Sequence, residues 1–304
     1  MSTQSFPRKV ATLSTKRISV IIIVRNGART LQECLDTVFH QSLPASEVIV
    51  VDNNSTDATK AIIMGAVATY ETCRYAFEPY PSRGAARNKG IELATGDIIV
   101  MTDADCIVPH TWLADITHLI RNRTERVIVG SQYDILESYT TRHTQKMYEH
   151  TLKRSVSTDG HALFLDTKNC AFDAQLLKQN RFDRRFKAVE DAELMFRLRQ
   201  YTHIKYLPTL KVGHKHPQSF RRLAKVAYER AFWNAQIYHK FKNKFDIHGQ
   251  MSFLEVPWWR IIGGLCYFEI EAIRSNGWSH LPYFLVYDLS WKYGSVRGFF
   301  KKSL

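Results

Sequence analysis

Apolar residues fall into short dense runs separated by polar clusters along the first 130 positions. Ile18–Val24 and residues 48–51 and 98–101 are β-branched runs, which predict strands buried on both faces. A weaker strand is expected near 74–77 and a fifth strand at 127–130. Helical spacing fills the gaps. Leu31, Cys34, Leu35 and Val38 share one stripe, and Trp112, Ile116 and Leu119 share another. Ser55 or Thr56 is placed to cap a helix running through Ile62. Residues 83–88 open a third helix, which Gly96 stops. Strands alternating with helices predict βαβ units and an α/β fold with a mixed, mostly parallel sheet.

Beyond position 130 the pattern loosens. A polar helix is expected at 138–154, a strand at 162–165, and a helix through Leu176. Leu194, Leu198 and Tyr201 form a helical stripe that begins at Glu190 and Asp191. Residues 220–241 read as a basic amphipathic helix, suited either to a membrane surface or to packing on the preceding domain.

Ligands of parallel sheets bind beyond the strand carboxyl ends. Three polar clusters lie there: Arg25-Asn26, Asp52 to Asp57, and Asp103-Ala104-Asp105. Asp103 and Asp105, two apart in extended chain, face one side. Paired carboxylates suit a hard divalent cation that bridges to phosphate oxygens, Mn²⁺ or Mg²⁺. The plain alternative for a lone Asp-x-Asp is a solvated turn. Asp191, at a helix N-terminus, is expected to be held ionised and able to accept a proton. No Gly-x-Gly-x-x-Gly follows the first strand and no Gly-Lys-Ser/Thr loop occurs, which argues against dinucleotide and P-loop chemistry.

Charge and cysteine usage refine the picture. The net charge is +13, unevenly spread: residues 1–210 carry +4 and residues 211–304 carry +9. A basic C-terminal third points to an anionic partner. None of the five cysteines forms a Cys-x-x-Cys pair, which fits a reducing compartment and gives no zinc pattern. Residues 1–17 lack the apolar core of a signal peptide, and no run reaches the length of a spanning helix.

The ordered set Val51 to Asp57, Arg83 to Asn88, Asp103-Ala104-Asp105 and Glu190-Asp191 resembles glycosyltransferase family 2 over about residues 18–216. The resemblance implies a GT-A (Rossmann-like) fold with a helical C-terminal extension, and inversion at the anomeric centre. It implies donor binding by Val24, Arg25, Asp52, Asn54, Arg83, Asn88, Asp103 and Ala104. Asp105 matches the metal ligand, His214 the second ligand with His216 as its rival, and Asp191 the general base. Two departures stand out: Asn53 replaces an acidic residue, and Arg25-Asn26-Gly27 replaces an aromatic-Asn-Glu pattern.

The expected organisation is a tail (1–17), a catalytic domain (18–216) and a basic, aromatic-rich extension (217–304). The expected activity is sugar transfer from a nucleotide sugar, a UDP-sugar, to a glycan or lipid-linked acceptor. The expected setting is cytoplasmic, with peripheral contact on an anionic membrane face. A sugar-nucleotidyltransferase would want a longer Gly-rich basic loop after the first strand than Arg25 to Ala28 provides. A basic membrane- or nucleic-acid-binding module leaves the ordered carboxylates unexplained, and nucleic acid is not an expected partner.

Overall fold

The densest β-branched runs become the centre of one sheet. The computed structural model describes residues 16–121, 125–241, 274 and 277–301. Its strands are β1 (Ile18–Val24), β2 (Glu47–Asp52), β3 (Cys73–Phe77), β4 (Ile98–Asp103), β5 (Cys106–Ile107), β6 (Val127–Asp134), β7 (Cys170–Asp173) and β8 (Lys205–His214). They form an eight-stranded sheet in the order β3-β2-β1-β4-β7-β6-β8-β5. β3, β2, β1 and β4 are parallel, as are β6 and β8. β7 runs antiparallel to both β4 and β6, and β5 antiparallel to β8.

Alternation along the strands sorts side chains to two faces. Val20, Ile22, Val50 and Val100 pack under α1 (Leu31–Phe39), α2 (Thr59–Thr69) and α4 (Trp112–Arg121). Ile21, Ile49, Ile99 and Met101 pack under α3 (Arg83–Leu93), α6 (Ala174–Gln179), α7 (Glu190–Leu198) and α8 (Phe220–Phe241). The result is the α/β sandwich the run lengths predict. Trp233 and Ile237 of α8 share this second core with Phe186 and Leu194, so the start of the C-terminal extension is part of the same packed body.

Several local expectations change. Neither Ser55 nor Thr56 caps α2. Asp57 accepts from the Thr59 backbone N–H instead (3.0 Å), and Ser55 Oγ turns to the Asn26 N–H (2.9 Å). Residues 162–165 are not a strand. The Ala162 N–H reaches Ile204 and the Leu163 N–H reaches Ser155, so no continuous ladder forms. The strand beside them in space is β8. The run leading toward Leu176 is itself the short strand β7, and Asp173 at its end caps α6 by accepting from the Leu176 N–H (2.8 Å).

α5 (Tyr139–Arg154) follows β6, its first turn closed by a Ser138–Thr141 capping box. The last described helix is α9 (Leu281–Phe300). It runs parallel to α8. A Cβ on Gly294 would lie 2.4 Å from the Tyr228 carbonyl oxygen, and one on Gly298 2.4 Å from that of Phe232, so both helices approach closely and advance together. Residues 258–273 of the expected aromatic-rich extension fall outside the described residues. Among the described residues no helix is long and apolar enough to cross a membrane.

Candidate active site

Strand direction gathers the polar clusters at one edge. β1, β2 and β4 all end there. β6 and β8 run the same way, and β7 begins there because it is antiparallel. Val24, Asp52, Asp103, His214 and the loop before Cys170 therefore meet along one rim.

On the β1–β2 side, two loops are zipped together. Asn26, in the left-handed region at φ 54°, accepts from the Thr56 N–H (2.8 Å), and the Gly27 N–H donates to Thr59 Oγ1 (2.9 Å). Asp52 is buried, and its Oδ1 accepts from the Ser55 N–H (2.9 Å). Asn54 follows at φ 61°, exposed beside exposed Arg25. Asn53 explains its departure from an acid. Its amide donates to the carbonyls of Glu78 (3.0 Å) and Tyr80 (2.7 Å), which a carboxylate cannot do.

α3 brings a residue that the sequence reading passed over. Arg83 is exposed in its first turn, but Arg87 is only 2% exposed. Its guanidinium bridges Asp103 (Nη2 to Oδ1, 2.9 Å) and Glu190. Asn88, expected to flank a diphosphate, also pairs with the Phe182 backbone. Its Nδ2 donates to that carbonyl and its Oδ1 accepts from that N–H, both at 2.9 Å. The amide ties α3 to the loop before α7.

Asp105 and His214 are far apart in sequence, yet β5 joins them. Cys106 pairs with His214 across β5 and β8, and the Lys215 N–H donates to the Asp105 carbonyl (3.2 Å). His214 Nε2 then lies 3.7 Å from Asp105 Oδ2. Buried Ala104 spaces the two carboxylates. Burial raises the Asp105 carboxyl, but His214 and the charge of Lys168 outweigh it and hold it at about 2.

The tautomers follow from the network. Gln145 Nε2 donates to the Gln132 carbonyl and to Glu149, so its Oε1 faces His216 Nε2 (3.1 Å). His216 Nε2 must then carry the proton, since that oxygen only accepts. Burial and the charges of His214, Lys168 and Arg230 push His216 down to about 3, so it is neutral and its Nδ1 accepts. His214 Nδ1, 3.2 Å away, donates to it, and His214 Nε2 faces the Asp105 carboxylate. Asp105 and His214 are the two side chains here that would hold a cation. Among the described residues no group of three or more His, Cys, Asp and Glu side chains is disposed as a full metal cage.

Glu190 and Asp191 divide the first turn of α7 between two environments. Glu190 is buried against Arg87, which with Arg83 holds it ionised despite burial. Asp191 is half-buried and not ion-paired, with Oδ1 accepting from the Ala192 N–H (2.8 Å). The helix N-terminus does not keep its carboxyl low, contrary to expectation. Burial, Glu190 and Asp166 raise it to about 6, against the pull of Arg87 and Lys168. A second charged pair, Asp166 with Lys168 (2.7 Å), lies in the loop before β7. No periodicity or motif marked it in the sequence.

Residues 19–186, more than half of the chain, match the profile of Glycosyl transferase family 2. The chain belongs to that family. Among family relatives, the glycosyltransferase AglE of Haloferax volcanii is 41% identical over 99 residues, covering 32% of this chain and 33% of AglE. The chain spans a third or less of the length of the first curated relatives it matches. The mannosyltransferase PcManGT from Pyrobaculum calidifontis, solved with GDP-Man and Mn²⁺, superposes with a TM-score of 0.63 at 18% identity, over 92% of this chain and 73% of PcManGT. S. aureus TarS 1–349, solved with UDP-GlcNAc, gives 0.56 at 16% identity over 93% and 89%. At these identities the likeness shows the fold: a GT-A sheet with a helical C-terminal part, as the family implies.

Proposed function

We propose that the chain is an inverting glycosyltransferase that moves a sugar from a UDP-sugar to a hydroxyl of a glycan, glycolipid or polysaccharide precursor. The observation that carries this reading is the meeting, at one sheet edge, of the Asp105–His214 pair with an unpaired carboxylate, Asp191, of raised proton affinity. Asp52, Asn54 and the backbone at Val24 and Arg25 would line the nucleotide. Asp103, fixed by Arg87, would sit at the ribose, and Arg83 would flank the diphosphate. The donor set of one carboxylate and one imidazole lone pair suits Mn²⁺ and tolerates Mg²⁺. When bound, the cation supplies Lewis-acid stabilisation of the departing diphosphate.

The chain's own step is proton transfer. The acceptor oxygen bonds to the anomeric carbon from the face opposite the leaving group, and its proton passes to Asp191. The bond from anomeric carbon to phosphate oxygen breaks, and its electron pair leaves on the nucleoside diphosphate. One carboxylate suffices for this single displacement, so the configuration inverts. Glu190 cannot serve as base while Arg87 holds it.

We take residues 18–216 as the catalytic unit and residues 217–304 as an extension whose α8 packs on it. α9 presents an outward stripe of Leu289, Val296 and Phe300 opposite its α8 contact. With the +9 charge of residues 211–304, this stripe suits an anionic membrane surface on the cytoplasmic side.

The test is turnover of a panel of nucleotide sugars with Mn²⁺ and with chelator, followed by acceptor trials. Mn²⁺-dependent turnover of a UDP-sugar supports the reading. Turnover of a GDP-sugar alone would replace the nucleotide, and no turnover of any donor would remove the activity.

A further inference from the structure

The end of β6 and one face of α5 enclose a cavity of about 470 Å³ that the reading above does not use. That volume falls within the range of about 300–1,000 Å³ usual for small-molecule sites. Tyr133, Asp134 and Glu137 line one wall, and Arg142, Lys146 and Glu149 line the other. The three α5 positions recur at helical spacing, so they share one face. His143 and Met147 lie on another face of α5, where they meet His280 and Tyr283.

Tyr133 is 46% exposed, although the six residues before it in β6 are all buried. It stands opposite Gly213 in the β6–β8 register. A Cβ on Gly213 would lie 3.3 Å from both Tyr133 Cζ and Oη, so the ring rests over the glycine. The next pair in the same register is Asp134 with His214. From the α5 wall, Gln145 Oε1 meets His216 Nε2 (3.1 Å). Two separate contacts thus set the cavity beside the two histidines of the cation site.

Sheet order fixes which side of the site this is. The nucleotide loops follow β2 and β1, whereas β6 and β8 lie beyond β4 and β7. The cavity is therefore at the end of the rim away from the nucleotide loops. A nucleophile that attacks from the face opposite the leaving group must arrive from that direction.

The lining chemistry narrows the ligand. An exposed tyrosine ring offers an apolar platform to the C–H face of a pyranose. Carboxylates accept strong hydrogen bonds from hydroxyls. Asp134 Oδ1 already accepts from the Leu136 N–H (3.1 Å), and Glu149 Oε1 from Gln145 (2.9 Å). Glu137 has no ion pair among the described residues, and neither have Arg142 and Lys146. Three carboxylates against two cations give these walls a charge of −1, on a chain of +13. A phosphate would meet net repulsion here, whereas a neutral, hydroxyl-rich ring would not.

We propose that this cavity is the acceptor subsite and that it takes a neutral sugar, stacked on Tyr133 with its hydroxyls donating to Asp134 and Glu137. The proposal rests on the glycosyltransferase reading above and names the substrate class of that site. Tyr133 and Glu137 bind the acceptor and take no part in proton transfer.

The experiment measures acceptor kinetics of the full chain with Mn²⁺ and the UDP-sugar it turns over. The probes are the methyl glycosides of glucose, galactose, mannose and N-acetylglucosamine, each beside its 6-phosphate. Calorimetry of UDP with Mn²⁺ follows the donor half separately and shows that each variant is folded. Neutral glycosides should accept sugar in preference to the phosphates. Tyr133→Ala should raise the acceptor KM about tenfold, and Tyr133→Phe, which keeps the ring, less than about threefold. Glu137→Gln should raise it roughly three- to tenfold. UDP affinity should stay at the parental value in all three. If sugar is transferred but Tyr133→Ala and Glu137→Gln leave KM within about twofold, the subsite is overturned and the function stands. If the UDP-sugar is hydrolysed while the phosphates alone, or no probe, accept sugar, the neutral class is overturned. If no UDP-sugar is turned over, the glycosyltransferase reading fails and the proposal falls with it.

Discussion

Arg87 and Glu190 form a buried ion pair that ties the middle of α3 to the first turn of α7. Glu190 Oε2 has no hydrogen-bond partner, so the carboxylate depends on this guanidinium. Arg87→Met should therefore lower the urea unfolding free energy by about 3–5 kcal/mol, the cost of stranding a buried charge. Adding Glu190→Gln to that variant should restore part of the loss. An Arg87→Met protein as stable as the parent would show that the pair is solvated and not buried.

The cation site predicts an ordered loss. Asp105→Ala should abolish Mn²⁺-dependent UDP binding, and His214→Ala should weaken it less, because a carboxylate and phosphate oxygens remain. His216→Ala should weaken it least, since that ring only orients His214 (3.2 Å). Calorimetry of UDP with and without Mn²⁺ reads all three. Unchanged metal dependence in Asp105→Ala would end the assignment.

Asp191 predicts a rate that rises with pH. Its carboxyl titrates at about 6, and only the ionised form accepts a proton, so turnover should climb through that value. Asp191→Asn should cost roughly 10²–10⁴-fold in turnover with donor affinity retained. Stability should move the other way. A carboxyl raised by folding withdraws stability as pH rises from 3.8 to about 6, so at pH 8 the Asn variant should melt no lower than the parent. A near-normal rate on a verified acceptor would remove Asp191 from the mechanism.

The α5–α9 junction predicts acid sensitivity. His143 Nδ1 and His280 Nδ1 are 2.6 Å apart, so one donates and the other must accept. Burial, the His143 neighbour and Lys146 push His280 down from 6.5 to about 4. A base lowered by folding is neutral in the folded chain, and its stabilising contribution is lost as pH falls through this range. The melting temperature should decline between pH 6.5 and 4, and His143→Phe with His280→Phe should flatten that slope. An unchanged slope would mean other groups govern acid unfolding.

The outer stripe of α9 predicts binding to anionic vesicles at low salt, weakened as salt screens the basic residues. Leu289→Glu with Val296→Glu should reduce co-sedimentation roughly tenfold, since both side chains are more than half exposed on one face. Equal binding by parent and variant, or none by the parent, would leave the stripe without a lipid role.

The parallel half of the sheet was legible because β1, β2 and β4 are continuous β-branched runs, which buried parallel strands require. β8 was not, since Lys205–His214 contains Pro208 and buries only its last third well. β7 has four residues, and its last, Asp173, doubles as a helix cap. α9 is apolar on both faces, so its sequence does not alternate between polar and apolar sides. Asp103, Asp105 and Asp191 could be named because carboxylates at strand and helix ends are conspicuous, and His214 because a His-x-His follows the ordered motifs of the family it resembles. Arg87 and Lys168 could not. A cation in mid-helix or in a loop reads as solvated until the fold shows carboxylates closing around it.

Val189, just ahead of Glu190, sits in the left-handed region at φ 53° and ψ 27°. A β-branched residue resists that conformation, at a cost of order 1–3 kcal/mol. The bend lets consecutive acidic side chains part company, one sealed against Arg87 and one left to the cleft. Glycine would adopt the same bend without strain and would loosen it. The fold therefore carries strain directly ahead of Glu190, and a chain optimised only to survive heating would be expected to abandon the valine.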